Sequence, residues 1–550
     1  MSAVWYLLPI LLPALLSGLG SLQRSAWPLM LAALPSLLLA VLYPSAESVW
    51  LDWLLLGVRL GLDETGRLLL GASALVWLLA GAYSAGSLPR GADLRRFRVF
   101  FLLAMSGNFS LILAQDMLTF YFGFTLMGLS AYGLVAHRAS VSSRRAGRLY
   151  LGWTITGEVL LFSAIVMLAM QAGGSDFTSL RQINPNPFAV MLLIMGFGIK
   201  LALPGLHPWL PVTYAAAPAA GVAVLSGPMI SAGLLGWLRF LPPGQTALIP
   251  WGEFLILVGI IGVILGIAVG LLQHKPKLVL AYSSISKMGL LASGFGIALA
   301  HPADAAWLLS ALLLFTVHHL LVKSAMFLGI DLLDRHPARR WILLGLLVLG
   351  LALIGAPFTS GALAKVRLFS ALPEQTQWFG AWLTLATFAT TLLMGRLAFL
   401  LHHRRLAPKY SEAPVMSPWA VLLLIILLLP FILVEAEESL LSNALPILAG
   451  LLLIGLIWRL QPRSLSAWVG RIPLGDLNNY LGRLLRRLLK NIQPLAFQRL
   501  GDRSANPLIS KLSRQDIHRA LFRHNLADWS GLLWLSLASL LLLMMIFTLP

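Results

Sequence analysis

GFGIKLALPGLHPWLPVTYAAAPAAGVAVLSGPMISAG, residues 196–233, is the stretch around which the chain is organised. It begins as an apolar helix with a lysine, Lys200, inside the apolar run. Pro204, Pro208 and Pro211 then remove three backbone donors within eight residues. A continuous helix does not survive that density of proline. In lipid, a broken helix is tolerated only where protein or water satisfies the freed backbone groups. A discontinuous helix beside an intramembrane lysine therefore points to an ion pathway near the bilayer midplane. The competing reading is a proline-rich re-entrant connection whose Lys200 snorkels to the interface. It is disfavoured because the residues before Lys200 are nearly all apolar.

Composition agrees. The 550 residues are 58% hydrophobic and only 11% charged, with mean hydropathy +0.84. Soluble domains carry about 25% charged residues, so a polytopic membrane protein is expected. There is no cysteine, which excludes disulfides and thiolate-bound iron–sulfur or zinc sites within the chain. The net charge of +19 is spread over short loops between apolar runs, where it reports topology rather than nucleic-acid binding. The first residues, MSAVWYLLPILLPALL, lack a basic n-region and read as a retained helix.

Apolar runs of spanning length recur near 3–20, 26–43, 67–85, 98–114, 117–136, 150–171, 188–203, 217–240, 250–272, 278–300, 303–330, 341–371, 379–401, 418–435, 441–460 and 529–548. This predicts an all-α membrane protein of about sixteen transmembrane helices. Arg90, Arg95, Arg96 and Arg98 follow the third run, and Arg138, Arg144, Arg145 and Arg148 the fifth. Lys275 and Lys277 follow the ninth, Arg335, Arg339 and Arg340 the eleventh, and Arg404, Arg405 and Lys409 the thirteenth. The alternate loops carry Glu47, Asp63, Glu64, Asp176, Asp304, Glu374, Glu435, Glu437 and Glu438. The basic loops should be cytoplasmic and both termini outside. Residues 461–528 form a long basic segment on the cytoplasmic side. Within it, LGRLLRRLLKNI (481–492) has one apolar and one cationic face, as suits a helix lying along the membrane or along neighbouring subunits. An ordinary solvated linker is the alternative.

Four stretches resemble one family. LHPWLPVTYAAAPAAGVAVLSGPMISAG (206–233) is similar to LHxWLPxAHxxAPxPVSAxLSGxMxKAG of the antiporter-like membrane subunits. These are the proton-pumping subunits of respiratory complex I, their relatives in membrane-bound hydrogenases, and the multisubunit cation/proton antiporters. LAYSSISKMG (280–289), HHLLVKSAMFL (318–328) and IGAPFTSGALAK (354–365) resemble that family's tenth, eleventh and discontinuous twelfth helices, in order.

The resemblance implies a fourteen-helix core with inverted five-helix repeats, here 98–240 and 241–401. These would be preceded by three helices in 1–97 and followed by 402–460, the lateral element 461–528 and a last helix in 529–550. It implies equivalent lysines, Lys200 and Lys365, in two broken helices, and a half-channel in each repeat. Lys200 matches the family's central lysine, and Lys365 the lysine closing the twelfth helix. His319 and Lys323 are four apart, share one helix face and can exchange a proton. His318, on the neighbouring face, fits a histidine satisfied by packing. Lys287 stands where the family usually has a neutral side chain. Glu158, in TITGEVLLF (154–162), aligns with an aspartate some members carry, and Lys200 is its natural partner. His207 and Arg396 lie nearer helix ends and read as structural.

Two departures stand out. Thr125, in GFTLMGLSAY (123–132), replaces the family's fifth-helix glutamate, and Ser231 replaces its eighth-helix lysine. Either Glu158 has taken over as partner of Lys200, or the path is altered. No phosphate-binding loop, metal motif or catalytic residue is found, and no cofactor is expected. The glycines of GIIGVILGIAVG (259–270) read as helix packing. The partners implied are other membrane subunits of a multisubunit complex, the lipid bilayer, and protons or monovalent cations, in a bacterial or archaeal inner membrane. Two classes remain open: a proton-translocating, non-catalytic subunit of a redox-driven complex, or a subunit of a gradient-driven transporter. The latter would be a cation/proton antiporter or the energy-coupling membrane subunit of inorganic carbon uptake.

Overall fold

The chain begins with α1 (Ser2–Gly18), α2 (Trp27–Leu31) and α3 (Leu34–Leu42), then a two-stranded antiparallel hairpin of β1 (Val49–Leu51) and β2 (Val58–Leu60), then α4 (Glu64–Ser87). The computed structural model describes residues 2–19, 27–42, 48–52, 54, 57–88, 92–138, 140–403, 416–433 and 444–460. The expected lateral element and last helix, with Glu47, Arg90, Arg404, Arg405, Lys409, Glu435, Glu437 and Glu438, lie outside the described residues.

The next helices are α5 (Ala92–Leu113), α6 (Met117–Val135), α7 (Val141–Ala172), the short α8 (Phe177–Leu180), α9 (Pro187–Leu201), α10 (Trp209–Ala216), α11 (Ala219–Ser226) and α12 (Pro228–Phe240). They are followed by α13 (Ile249–Leu271), α14 (Pro276–Ala300), α15 (Ala305–Arg335), α16 (Arg339–Ile354), α17 (Ser360–Ser370), α18 (Trp378–His402), α19 (Ser417–Leu433) and α20 (Ala444–Leu460). Among the described residues, nine helical stretches are long and apolar enough to cross a membrane, and shorter apolar helices accompany them. The protein is an all-α, multi-pass membrane protein; its only strands among the described residues are those of the small hairpin.

Some apolar runs are interrupted. The run at 26–43 divides into α2 and α3 through a turn at Ala32 and Ala33, just before Pro35. The run at 217–240 divides at Gly227, because Pro228 has no N–H to continue the ladder. A Cβ on Gly227 would meet the carbonyl of Leu320 at 2.8 Å, so glycine lets α11 lie against α15. There Ser324 donates from its hydroxyl to the carbonyl of Ala223 at 2.8 Å.

The interior is made by α11, α12 and α14, which other helices enclose on every side, whereas α7 and α13 turn large apolar residues outward. Lipid is as apolar as a leucine side chain, so close packing rather than water exclusion drives helix contact there. Gly252, Gly259 and Gly266 of α13 recur every seven residues and face Gly296, Gly289 and Ser286 of α14. A Cβ on any of these α13 glycines would run into the α14 backbone.

The hairpin is latched to the helices at the end where the acidic loops lie. Gln115 donates its N–H to the carbonyl of Arg59, and Gly61 donates to that of Leu113, both at 2.9 Å. The Arg59 guanidinium meets Asp176 at 2.5 Å, and the Arg59 backbone N–H donates to the Asp116 carboxylate, 2.9 Å away. Asp116 also caps α6 through the N–H of Thr119 at 2.8 Å. Asp63 does the same for α4, accepting from Gly66 at 2.8 Å, and receives two bonds of 2.5 and 2.8 Å from Arg239 at the end of α12. Burial works against the Asp63 charge, but the Arg239 guanidinium outweighs it and holds the carboxyl below the usual range. A lowered folded-state pKa adds stability above the ordinary carboxylate value, lost as pH falls through the folded value. Asp63→Asn should therefore lower the melting midpoint of the detergent-purified protein at neutral pH, by the equivalent of on the order of 1 kcal/mol or less, since the Asp63 side chain is still partly open to solvent screening. The gap to wild type should close as the pH is taken down through the acid range.

Candidate functional site

The first broken helix is α9–α10. α9 ends one residue after Lys200, and Ala202 terminates it in the left-handed region with φ 54° and ψ 49°. The orphan carbonyls at this end are met within the protein. Gly198 accepts from the N–H of Leu203 at 3.0 Å. Ile199 accepts from the N–H of Ala202 at 3.1 Å and from the indole N–H of Trp209, the first residue of α10, at 2.8 Å. The break is thereby tied shut by its own aromatic residue, as lipid requires.

Lys200 is buried, and its ammonium lies 3.4 Å from the Tyr150 hydroxyl. The ring centroids of Phe124 and Tyr150 are each 5.7 Å from Nζ, within cation–π range. It also sits in the last turn of α9, the negative end of that helix. Glu158 of α7 is equally enclosed. Its Oε2 accepts from the Thr125 hydroxyl at 2.5 Å, and its Oε1 has no protein partner. No ion pair joins Glu158 to Lys200. They face one small cavity instead, lined by Phe124, Tyr150, Thr154 and Trp209, with room for about one water molecule. Ser231 turns back to the carbonyl of Pro228, 2.8 Å away, and stays within its own helix.

The second broken helix is α16–α17. α16 stops at Gly355, whose φ is 78°, and α17 starts from the Thr359 cap. Lys365 of α17 reaches back across the break. It donates to the carbonyl of Ile354, the last residue of α16, at 2.5 Å and to the Thr387 hydroxyl of α18 at 2.7 Å. Each broken helix thus places a buried lysine at its break: Lys200 in the last turn before it, and Lys365 reaching back to it from the following half-helix.

Between them, α14 and α15 carry the remaining bases. Lys287 donates to Thr390 at 3.1 Å. Lys323, 0% exposed, donates to the carbonyl of Leu280 on α14 at 2.8 Å. His319 is buried with neither ring nitrogen bonded to protein. It and Lys323 share a helix face without bonding each other. Lys287 is within electrostatic reach of His318, His319, Lys323 and Lys365. None of Lys200, Lys287, Lys323 and Lys365 lies at salt-bridge distance from a carboxylate among the described residues.

Sequence reasoning passed over several members. His318 is not merely packed: its Nδ1 is 2.9 Å from the Ser360 hydroxyl at the start of α17. Thr387 and Thr390 supply hydroxyls to two lysines; their signal was a polar stripe, Thr387, Thr390 and Thr391, in an otherwise apolar span. Tyr150 had none. His207 is buried in the α9–α10 connection, and Arg396 bonds the carbonyl of Gln273 at 3.2 Å and the His274 ring at 3.0 Å.

Fold and site together define a polytopic helical membrane protein built around two broken helices with buried lysines. Residues 114–392, half of the chain, match the family described as NADH:quinone oxidoreductase/Mrp antiporter, TM, and the chain belongs to that family. It is 29% identical over 301 residues to hydrogenase-4 component B of Escherichia coli, covering 52% of this chain and 44% of that protein. It is 26% identical over 385 residues to a putative antiporter subunit of Staphylococcus saprophyticus, covering 64% and 48%. The chain therefore spans less than half the length of these curated relatives. Among solved structures, the Mrp complex from Dietzia sp. matches with TM-score 0.71 and 21% identity, over 94% of this chain and 62% of that one. At that identity the likeness is one of fold.

The Trp209 tie gives a direct test of the first break. Trp209→Phe keeps the ring and removes the indole donor to Ile199. The melting midpoint in detergent should fall by the equivalent of about 1 kcal/mol, the net worth of a hydrogen bond.

Proposed function

We propose that this chain is an ion-translocating, antiporter-like subunit of a multisubunit membrane complex, with the proton as the ion. The observation that carries the reading is the pair of broken helices, each with a buried lysine away from any carboxylate at ion-pair distance: Lys200 lies against the Tyr150 hydroxyl and two aromatic rings, and Lys365 against the Ile354 carbonyl and the Thr387 hydroxyl. A buried charge costs about 2.5–3.5 kcal/mol on insertion scales. Lysines so held are poised to give up or accept a proton when a neighbouring charge changes, whereas an ion-paired lysine would be locked.

In this reading the proton path runs through Glu158, Lys200, Lys323, His319, Lys287 and Lys365. Residues 98–240 and 241–401 are inverted repeats that each supply a half-channel, within about sixteen spans. Glu158 takes the place of the fifth-helix acid, and support comes from the hydroxyl of Thr125, which stands at that acid's position and bonds the Glu158 carboxylate. A water in the intervening cavity would link Glu158 Oε1 to Lys200. The membrane in this reading is a bacterial or archaeal inner membrane, and the basic loops argue for both termini outside. The partners are other membrane subunits, as in the complexes of the family. The same path serves a gradient-driven transporter equally well, and the direction of use depends on those partners.

Lys200→Ala in the intact complex, reconstituted in vesicles, should abolish ion translocation while the protein remains inserted and assembled; undiminished transport sinks the half-channel assignment. Glu158→Gln should slow translocation at least tenfold, the scale of a lost proton-transfer group. Wild-type rates for that variant would return Thr125 and Glu158 to a packing role.

A further inference from the structure

One cavity opens at the end of the bundle where the α13–α14 turn carries Lys275 and Lys277. It lies among the α13–α14 turn, the end of α15, the end of α18 and the end of α10, and is lined by Ala215, His274, Lys275, Lys277, Asp334 and His403. Lys275 is exposed, with no protein partner for its ammonium among the described contacts. Lys277 uses one long bond, 3.5 Å to the carbonyl of Ala217. Arg396 stands behind His274 and donates to its Nδ1, so the tautomer assigned to the neutral ring leaves Nε2–H as a donor. Arg138 and Arg335 stand within electrostatic reach of Lys277, against the acids Asp331 and Asp334. Of the charged residues lining the cavity, two lysines stand against one acid, Asp334, and behind them Arg138, Arg335 and Arg396 stand against Asp331. Asp331 is already engaged by Tyr83 at 2.9 Å and by Arg335 at 3.3 Å.

We propose that this cavity binds one phosphate-bearing anion. The donors are the two ammonium groups, which suit phosphate as point charges, and a neutral imidazole N–H. α14 opens at the cavity, so the positive end of a 25-residue helix adds to the field. The position selects the ligand further. Four helices that cross or border the bilayer end or begin here, which sets the cavity at the depth of lipid headgroups. It is on the side with the basic loops, where basic pockets between transmembrane helices take anionic headgroups. The phosphate therefore belongs either to an anionic phospholipid or to a soluble phosphate. The proposal is independent of the translocation path, since none of its residues is in that path.

The test is thermal unfolding of the detergent-purified, delipidated protein or its complex, titrated with phosphatidylglycerol, with phosphatidylcholine and with inorganic phosphate. Wild type should be stabilised saturably by phosphatidylglycerol and not by phosphatidylcholine. Lys275→Gln with Lys277→Gln should weaken that response on the order of tenfold or more while leaving the midpoint in phosphatidylcholine unchanged. Stabilisation by inorganic phosphate at low millimolar concentration, lost in the same double variant, assigns the cavity to a soluble phosphate. An equal response of wild type and double variant, or no response to either ligand, overturns the site. Should the double variant fail to fold, Lys275→Gln alone, at an exposed position, carries the same comparison.

Discussion

Everything central to this molecule depends on one constraint: a backbone carbonyl freed inside a membrane must find a donor in the protein or in trapped water. The two breaks, at Ala202 and Gly355, free such carbonyls in the middle of the helix bundle. At the first, the indole of Trp209 and two backbone N–H groups take them up. At the second, the ammonium of Lys365 is itself the donor. At the second break, the freed carbonyl and the buried lysine thus each supply what the other lacks. The negative end of each half-helix favours the cation further.

The bases of α14, α15 and α17 form a group without a carboxylate at salt-bridge distance. Hydroxyls of Thr387, Thr390 and Ser360 and the carbonyls of Leu280 and Ile354 are their partners. Neutral partners of this kind stabilise an ammonium moderately and accept its absence at modest cost. A carboxylate in the same place would be stranded whenever the lysine lost its proton. In the first half the arrangement differs, because Glu158 is present but held by Thr125 and set apart from Lys200 by a small cavity. The acid and base can influence one another there without being fused into a fixed pair.

The two ends of the bundle have opposite tasks. At the acid-bearing end, Asp63, Asp116 and Asp176 tie the hairpin and helix starts to Arg59 and Arg239, so α4 is clamped to α12 and the hairpin to the starts of α6 and α8. At the basic end, cations outnumber acids around an open cavity. Charge is satisfied internally at one end and left available at the other.

The sequence by itself determined the class of protein, the near-continuous apolar helices, both broken segments and the identity of the buried bases. It could do so because each depends on local chemistry: twenty apolar residues span a bilayer, clustered prolines end a helix, and a lysine in an apolar run is conspicuous. The split at Gly227, the latched hairpin and the turn at Ala32 and Ala33 escaped it, since each is set by what packs alongside. Only the tertiary structure decided the partners. Thr125 against Glu158 joins two helices thirty-three positions apart, and Lys287 against Thr390 joins residues separated by more than a hundred. The hydroxyls that hold the lysines are inconspicuous in sequence because a threonine in an apolar helix ordinarily bonds its own backbone, as Thr387 and Thr390 also do here. Their second role exists only because the helices bring them within reach of an ammonium group.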